Sequence, residues 1–497
     1  MYSSSGFSDW EIGDVDVIVH NGVYHLFHLI IPNHDYIAHA ISKDGISWKR
    51  IKNALFVSDP GEWDDDMLWT MNVHPEKDHF IMYYTGLQRK DRGLEQKIGK
   101  ATSTDLVNWK KSNTGDFPTG STGPFYEDSN NNPRGWLSCR DPFRFDHNGD
   151  SYLVISARSS MGPVSRRGCV GLIRLNGEVF EWQKPLVYPM VYDDIECPCL
   201  FKMKGKYYLV GSIREDVKVR YWFSDEFRGE YHSFRSDVLL PQGNYAARVV
   251  PDGEHLLVYN FFHSDGNVNQ LRVLPPPKEL DTDDEGRLLL KSYYRWKKMV
   301  QKVIRQPDFP AIQKLLNNPT SGVEREEDNW RIESRSGYEI FAFPRPSDSF
   351  IWEGVMIVEG MGKFGLVTDA DRDGNGYFIS LDITNGFIYI RAWGFNPQNN
   401  KENFVFKNIQ SNIFRTIRSH TIHFSLIRYG NYIEVSIDDA VRLTLIDYTY
   451  SGKNIGIYSA SSRISLRNMY LKTLPTPESE YASQQEALKE EEPPKQK

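Results

Sequence analysis

The segment HAISKDGISWKRI (His39 to Ile51) returns as KATSTDLVNWKKS (Lys100 to Ser112), with Ser42 matching Ser103, Asp44 matching Asp105 and Trp48 matching Trp109. A short aromatic strand precedes each copy, GVYHLFHL from Gly22 and HFIMYYTG from His79. Similar strands recur as DSYLVISAR from Asp150, GKYYLVGSI from Gly205 and GEHLLVYNFF from Gly253. Each opens on turn residues and continues as a β-prone run. A period of roughly 50 to 60 residues with several strands per unit and little helical spacing reads as a β-propeller of four-stranded blades. A simple sandwich leaves the echo unexplained. Five copies predict five blades over residues 1–273.

Beyond Phe262 the texture changes. LPPPKELDTDDEGRLLLKSYYRW (Leu274 to Trp296) reads as a connector, and KKMVQKVIRQPDFPAIQKLLNN (Lys297 to Asn318) carries the only helical spacing, broken by prolines. Residues 274–330 are therefore expected to link two domains through a short helix. From Arg331 to Leu474 eight alternating runs return, from IWEGVMIVEG to NIGIYSA, and predict a two-sheet β-sandwich over 331–474. The remainder, 475–497, contains PESEYASQQEALKEEEPPKQK and is expected to be a disordered tail. The fold class is all-β, a five-bladed propeller followed by a sandwich.

Composition narrows the function. A net charge of −7 argues against a general nucleic-acid or anionic-membrane binder. No apolar run reaches the length of a membrane span. The start MYSSSGFSDWEIGD lacks a signal-peptide pattern, which predicts a cytoplasmic protein. The four cysteines (Cys139, Cys169, Cys197, Cys199) lack zinc spacing and read as buried free thiols. Asp369 to Gly374 (DADRDG) begins like a calcium loop, but Ser380 stands where a bidentate Glu is needed, so a turn is expected. Neither metal nor cofactor is called for. Aromatic residues make up 13% of the chain, which suits strands and also stacking on sugar rings.

In a propeller the innermost strands line the central channel. They read GDVDVIV from Gly13, DDMLWTMNV from Asp65, SCRDPFRF from Ser138, DDIECPCLF from Asp193 and NYAARVV from Asn244. Three of the five carry a carboxylate there: Asp14 or Asp16, Asp141, and Glu196. Like charges converging in a channel repel, and burial disfavours their ionisation, so the arrangement calls for a use. Glycoside cleavage supplies one, because it needs a carboxylic acid to protonate the leaving oxygen and a carboxylate to attack or to activate water.

These residues resemble glycoside hydrolase family 32, the invertases, inulinases and levanases. Arg140-Asp141-Pro142 looks like the family's Arg-Asp-Pro motif, and Glu196-Cys197 looks like its Glu-Cys motif. Gly13-Asp14 ahead of GVYHLFHL resembles the nucleophile segment, and His39-Ala40, Ser42, Asp44 and Trp48 resemble the family's HAxSxDxxxW blade end. The resemblance implies that Asp14 is the nucleophile, Glu196 the acid/base, and Asp141 the residue that stabilises the transition state. It also implies that Arg140, Trp69 and Thr70 bind substrate. Asp16, two residues along the strand from Asp14, is the rival nucleophile. The opening Trp10 to Asp16 departs from the family's pattern, as do Leu29, where a glutamine is usual, and Trp69 to Asn72.

The implied activity is retaining cleavage of β-fructofuranosidic bonds in sucrose-like sugars or short fructo-oligosaccharides. Its rivals are a fructosyltransferase or difructose-anhydride enzyme on the same scaffold, an inverting arabinofuranosidase or xylosidase, and a non-catalytic sugar binder. The expected partner is a small carbohydrate, with no nucleic acid or membrane, and a homo-oligomer is compatible with the sequence.

Overall fold

The structure is a computed structural model and describes residues 2, 11–112, 123–128, 132–177, 179–263, 272–360, 362–395, 404–414 and 420–477. Five antiparallel units follow one another along the chain, four of them four-stranded and the first with an added short strand, Leu55–Phe56, paired to Tyr36–Ser42. Their innermost strands are Glu11–His20, Met67–Pro75, Cys139–His147, Glu196–Met203 and Asn244–Asp252. Each packs against the inner strand of the next blade, and the fifth packs against the first. A tight hairpin turn follows several inner strands. Asn21-Gly22 and Asn148-Gly149 both hold positive φ at both residues, the conformation that matches the twist of the flanking strands. Asn and Gly tolerate it best, which is why these hairpins announce themselves in the sequence.

Blades one and five close the ring through polar contacts. The Tyr24 hydroxyl donates to Asp252 at 2.6 Å, and the Tyr293 hydroxyl donates to the Asp44 carbonyl at 2.8 Å.

The segment read as a connector from Leu274 is largely part of the propeller. Lys278–Thr282 and Leu288–Ser292 are the two outer strands of blade five. The prolines precede the first of these strands, while the buried Leu280, Leu288 and Leu290 face the blade-four core. The propeller thus runs to about residue 292, past the 273 expected. The expected helix shrinks to one turn, Trp296–Met299. Val303 and Ile304 are β-branched and pair instead with the end of a long strand, and Pro307 and Pro310 bar any continuation of the helix.

The second domain is a sandwich whose layers share two long strands. Asn454–Thr473 pairs with Lys363–Ala370 along its first half and with Phe350–Glu359 along its second. Asn329–Pro344 accompanies it through both layers. All eight expected strands are present, and pairing begins before 331, with the hairpin Ser321–Glu326 against Asn329–Ser334. The DADRDG segment is a turn: Asp371 accepts from the backbone N–H of Asp373 and Asn375, and buried Asp369 pairs with Arg345 and Arg428. One hydrophobic cluster runs from Val15 and Tyr259 of the propeller through Trp296 into Ile427 and Tyr429 of the sandwich. All four cysteines are buried and free. The acidic tail from 478 lies outside the described residues.

Candidate active site

Every inner strand carries a bulge at the same height. Residues 13–14, 69–70, 141–142, 197–198 and 246–247 each stand two against one opposite the neighbouring strand, facing Leu29, Thr85, Ile155, Gly211 and Asn260. An extra residue bends the strand and re-aims its side chains. Here five such bends surround one end of the channel. Asp141, Cys197 and Ala246 take positive φ of 57°, 50° and 51°, a costly backbone for non-glycine residues and one that recurs at functional sites.

The bulges enclose a cavity of about 300 Å³ lined by Asp14, Trp69, Thr70, Arg140, Asp141 and Glu196 among others. The six residues named from the sequence thus meet in one place. Asp14 is partly exposed and accepts a hydrogen bond from the Thr70 hydroxyl. One carboxylate oxygen of Asp14, one of Asp141 and the Cys197 sulfur lie within 4.8 Å of one another. Asp141 is buried and accepts from the Cys197 backbone N–H at 2.9 Å, while its own N–H donates to Thr85 at 3.0 Å. Burial, reinforced by the charges of Asp14 and Glu196 and opposed by Arg140, pushes the Asp141 carboxyl up to about 6.

Glu196 carries a donor on each oxygen. Arg140 Nη2 donates to Oε1 at 2.7 Å, and the Tyr245 hydroxyl donates to Oε2. Arg140 is itself braced by Ser138 and lies 3.5 Å from Asp194, a carboxylate held below its usual range, against burial, by four surrounding guanidiniums.

Asp16 has a different setting. It is buried below the cavity, accepts from the Val73 N–H at 2.6 Å, and faces Arg248 at 3.5 Å. It ties blades one, two and five together, and its carboxyl is absent from the cavity lining. The geometry therefore separates the two rivals: Asp14 faces the cavity.

Tyr245 escaped the sequence reading. The blade-five inner strand NYAARVV has no carboxylate, so it lacks the feature that marks blades one, three and four. The available signal was register, since Tyr245 stands just before its bulge as Glu196 and Arg140 stand before theirs. His34, Arg214 and Arg272 also line the cavity and were not anticipated. A larger cleft of about 830 Å³ lies between the outer parts of blades three and four, but none of the three carboxylates reaches it.

The profile of the glycosyl hydrolases family 32 N-terminal domain matches residues 14–254. No curated protein sequence matches the chain. Among solved structures, the chain is similar to sucrose-6-phosphate hydrolase from Lactobacillus gasseri, at 14% identity and TM-score 0.67, covering 94% of this chain and 91% of that one. It is similar to exo-inulinase from Aspergillus awamori at 13% identity and TM-score 0.67, covering 96% and 98% of the two chains. Fructan 1-exohydrolase IIa from Cichorium intybus matches at 13% identity and TM-score 0.69, with 96% and 97% covered. At these identities the structures speak for the fold alone. The family profile falls on the blades that build the cavity: residues 14–254 carry a glycosyl hydrolases family 32 N-terminal domain, and the activity it brings is that of an O-glycosyl hydrolase.

Proposed function

We propose that the chain is a retaining fructosidase acting on β-fructofuranosidic bonds of sucrose-like sugars or short fructo-oligosaccharides. The observation that carries this reading is the meeting of Asp14, Asp141 and Glu196, from three blades, in one cavity where each has a different environment. Neighbouring carboxylates with unlike surroundings can take unlike roles.

In the first step a free oxygen of Asp14 attacks the anomeric carbon. The bond to the leaving oxygen breaks, and that oxygen takes its electron pair and a proton from Glu196. In the second step Glu196 removes a proton from water, whose oxygen attacks the same carbon and releases Asp14. One water is consumed and both carboxyl groups return to their starting states. Asp141, ionised, faces the positive charge that develops on the sugar. The Tyr245 hydroxyl can donate or accept, so it can follow Glu196 through both charge states, whereas Arg140 only donates.

The names of the similar structures (a sucrose-6-phosphate hydrolase, an exo-inulinase, a fructan exohydrolase) support fructosyl substrates. The test is turnover of sucrose, inulin, levan and short fructo-oligosaccharides, with the product anomer followed by NMR. Asp14→Asn and Glu196→Gln should each lower kcat by about 10² to 10⁴ while the protein stays folded. Undiminished hydrolysis in either variant, or an inverted first product, defeats the proposal.

A further inference from the structure

The turn that leads into Tyr245 touches the sandwich on one side and the cavity on the other. Gln410, from the sandwich strand Val405–Ile413, donates to the Gln242 carbonyl at 2.6 Å and to the Thr444 carbonyl at 2.9 Å. Its own carbonyl accepts from the Thr444 N–H at 2.8 Å. The Thr444 carbonyl also receives Asn244 Nδ2 at 3.1 Å. Asn244 is fixed further, since its Nδ2 donates to the Pro241 carbonyl and its Oδ1 accepts from Asn260, both at 2.9 Å. Gln410, Thr444 and Asn244 are all buried, at 2%, 0% and 0% exposure. Val405–Ile413 and Ala440–Ile446 are the two end strands of the sandwich, and this cluster joins both to blade five.

On the cavity side, the Gly243 N–H donates to the Val217 carbonyl at 2.9 Å, and the His263 N–H donates to the Gly243 carbonyl at 2.6 Å. Val217 and His263 both line the cavity. Gly243 holds φ +93°, and a side chain there would meet the Phe262 ring at 2.6 Å. Two residues on, the Tyr245 hydroxyl meets Glu196.

We infer that Gln410 is a positioning residue of the active site: through the turn at 241–244 the sandwich fixes Tyr245, and Tyr245 fixes Glu196. Apolar packing between the domains is non-directional and tolerates a slide of the interface. The buried amide pairs do not, because a displaced partner leaves an enclosed polar group unmet. The inference rests on the reading of Glu196 as acid/base. It adds a function for the sandwich that does not require the sandwich to touch sugar.

The test compares wild type, Gln410→Leu, Tyr245→Phe and the double variant. Gln410→Leu preserves bulk and removes the amide hydrogen bonds. It should lower kcat by roughly tenfold, within the range that ångström-scale misplacement costs, with KM changed far less. It should also shift the kcat–pH profile. In the Tyr245→Phe background the same change should add little, because both act on one contact. A folded Gln410→Leu with wild-type kcat and pH profile overturns the inference, as do losses that multiply in full.

Wild-type protein inactive on every fructoside would instead defeat the proposed activity. Hydrogen exchange then reads the link without turnover: the amides of Gly243 and His263 should exchange faster in Gln410→Leu while the other blades stay protected. Unchanged exchange there overturns it. If Gln410→Leu does not fold, Gln410→Asn, which keeps an amide but withdraws it by one methylene, replaces it in every arm.

Discussion

Asp141 shows what burial does to a carboxyl that the proposed mechanism uses in its ionised form. It is 3% exposed, and its pKa rises from 3.8 to about 6 as burial and two neighbouring carboxylates outweigh Arg140. The folded pKa lies above the unfolded one, so this residue favours folding fully below pH 3.8 and loses that contribution as pH rises through 6. The difference corresponds to about 3 kcal/mol at neutral pH. Asp141→Asn should therefore be inactive yet more stable than wild type at pH 7.5, with the advantage shrinking towards pH 4. Urea midpoints at both values check this, and a constant difference between the two proteins would contradict it. Wild-type activity should fall as pH drops through about 6, where Asp141 takes up its proton. Asp16, also pushed up to about 6 by burial, adds to the same loss of stability with pH while lying outside the cavity.

At the scale of the element, the recurring bulge turns five similar strands into a site. Ala246 holds φ 51° inside the blade-five bulge, is 1% exposed, and donates its N–H to the Ser212 hydroxyl at 2.9 Å. Ala246→Gly should keep stability within about 1 kcal/mol, because glycine accepts that backbone freely. Ala246→Val should cost at least about 2 kcal/mol, since a β-branched residue resists it and the site is closed. It should also lower kcat by disturbing Tyr245. Denaturant midpoints with kcat for the pair check this; a well-tolerated valine would refute it.

The same element explains what the sequence could disclose. Blades were readable because turn residues and aromatic runs recur, and Arg140-Asp141-Pro142 with Glu196-Cys197 marked two inner strands. A bulge leaves no residue signature of its own: Asp141, Cys197 and Ala246 share a backbone and nothing else. Tyr245 was therefore missed although it occupies the register of Glu196. The outer strands of blade five were hidden by the prolines before Lys278, and the apolar spacing after Lys297 mimicked a helix until tertiary pairing overrode it.

For the whole molecule the question is whether propeller and sandwich are two folding units. Trp296 is 2% exposed at their junction, with its ring 5.1 Å from that of Tyr429 in the sandwich. The hydrophobic cluster around it crosses the junction without a break. The polar link through Gln410 lies in the same interface, and the Ser292 hydroxyl donates to Glu434 of the sandwich at 2.5 Å. Glu434 is fully buried, and Tyr432 donates to its second oxygen at 2.5 Å. Neither domain can leave without exposing apolar surface and unmet polar groups together, so the two should unfold in one transition, with calorimetric and van't Hoff enthalpies equal. Trp296→Ala removes the central contact and should cost about 3 to 5 kcal/mol. If the junction is what makes unfolding cooperative, the variant's single endotherm should broaden or divide, with activity lost at the lower transition. Two transitions already present in the wild type would make the sandwich a separately folded appendage, and a Trp296→Ala protein that melts as the wild type does would show that Trp296 is not what couples the two domains.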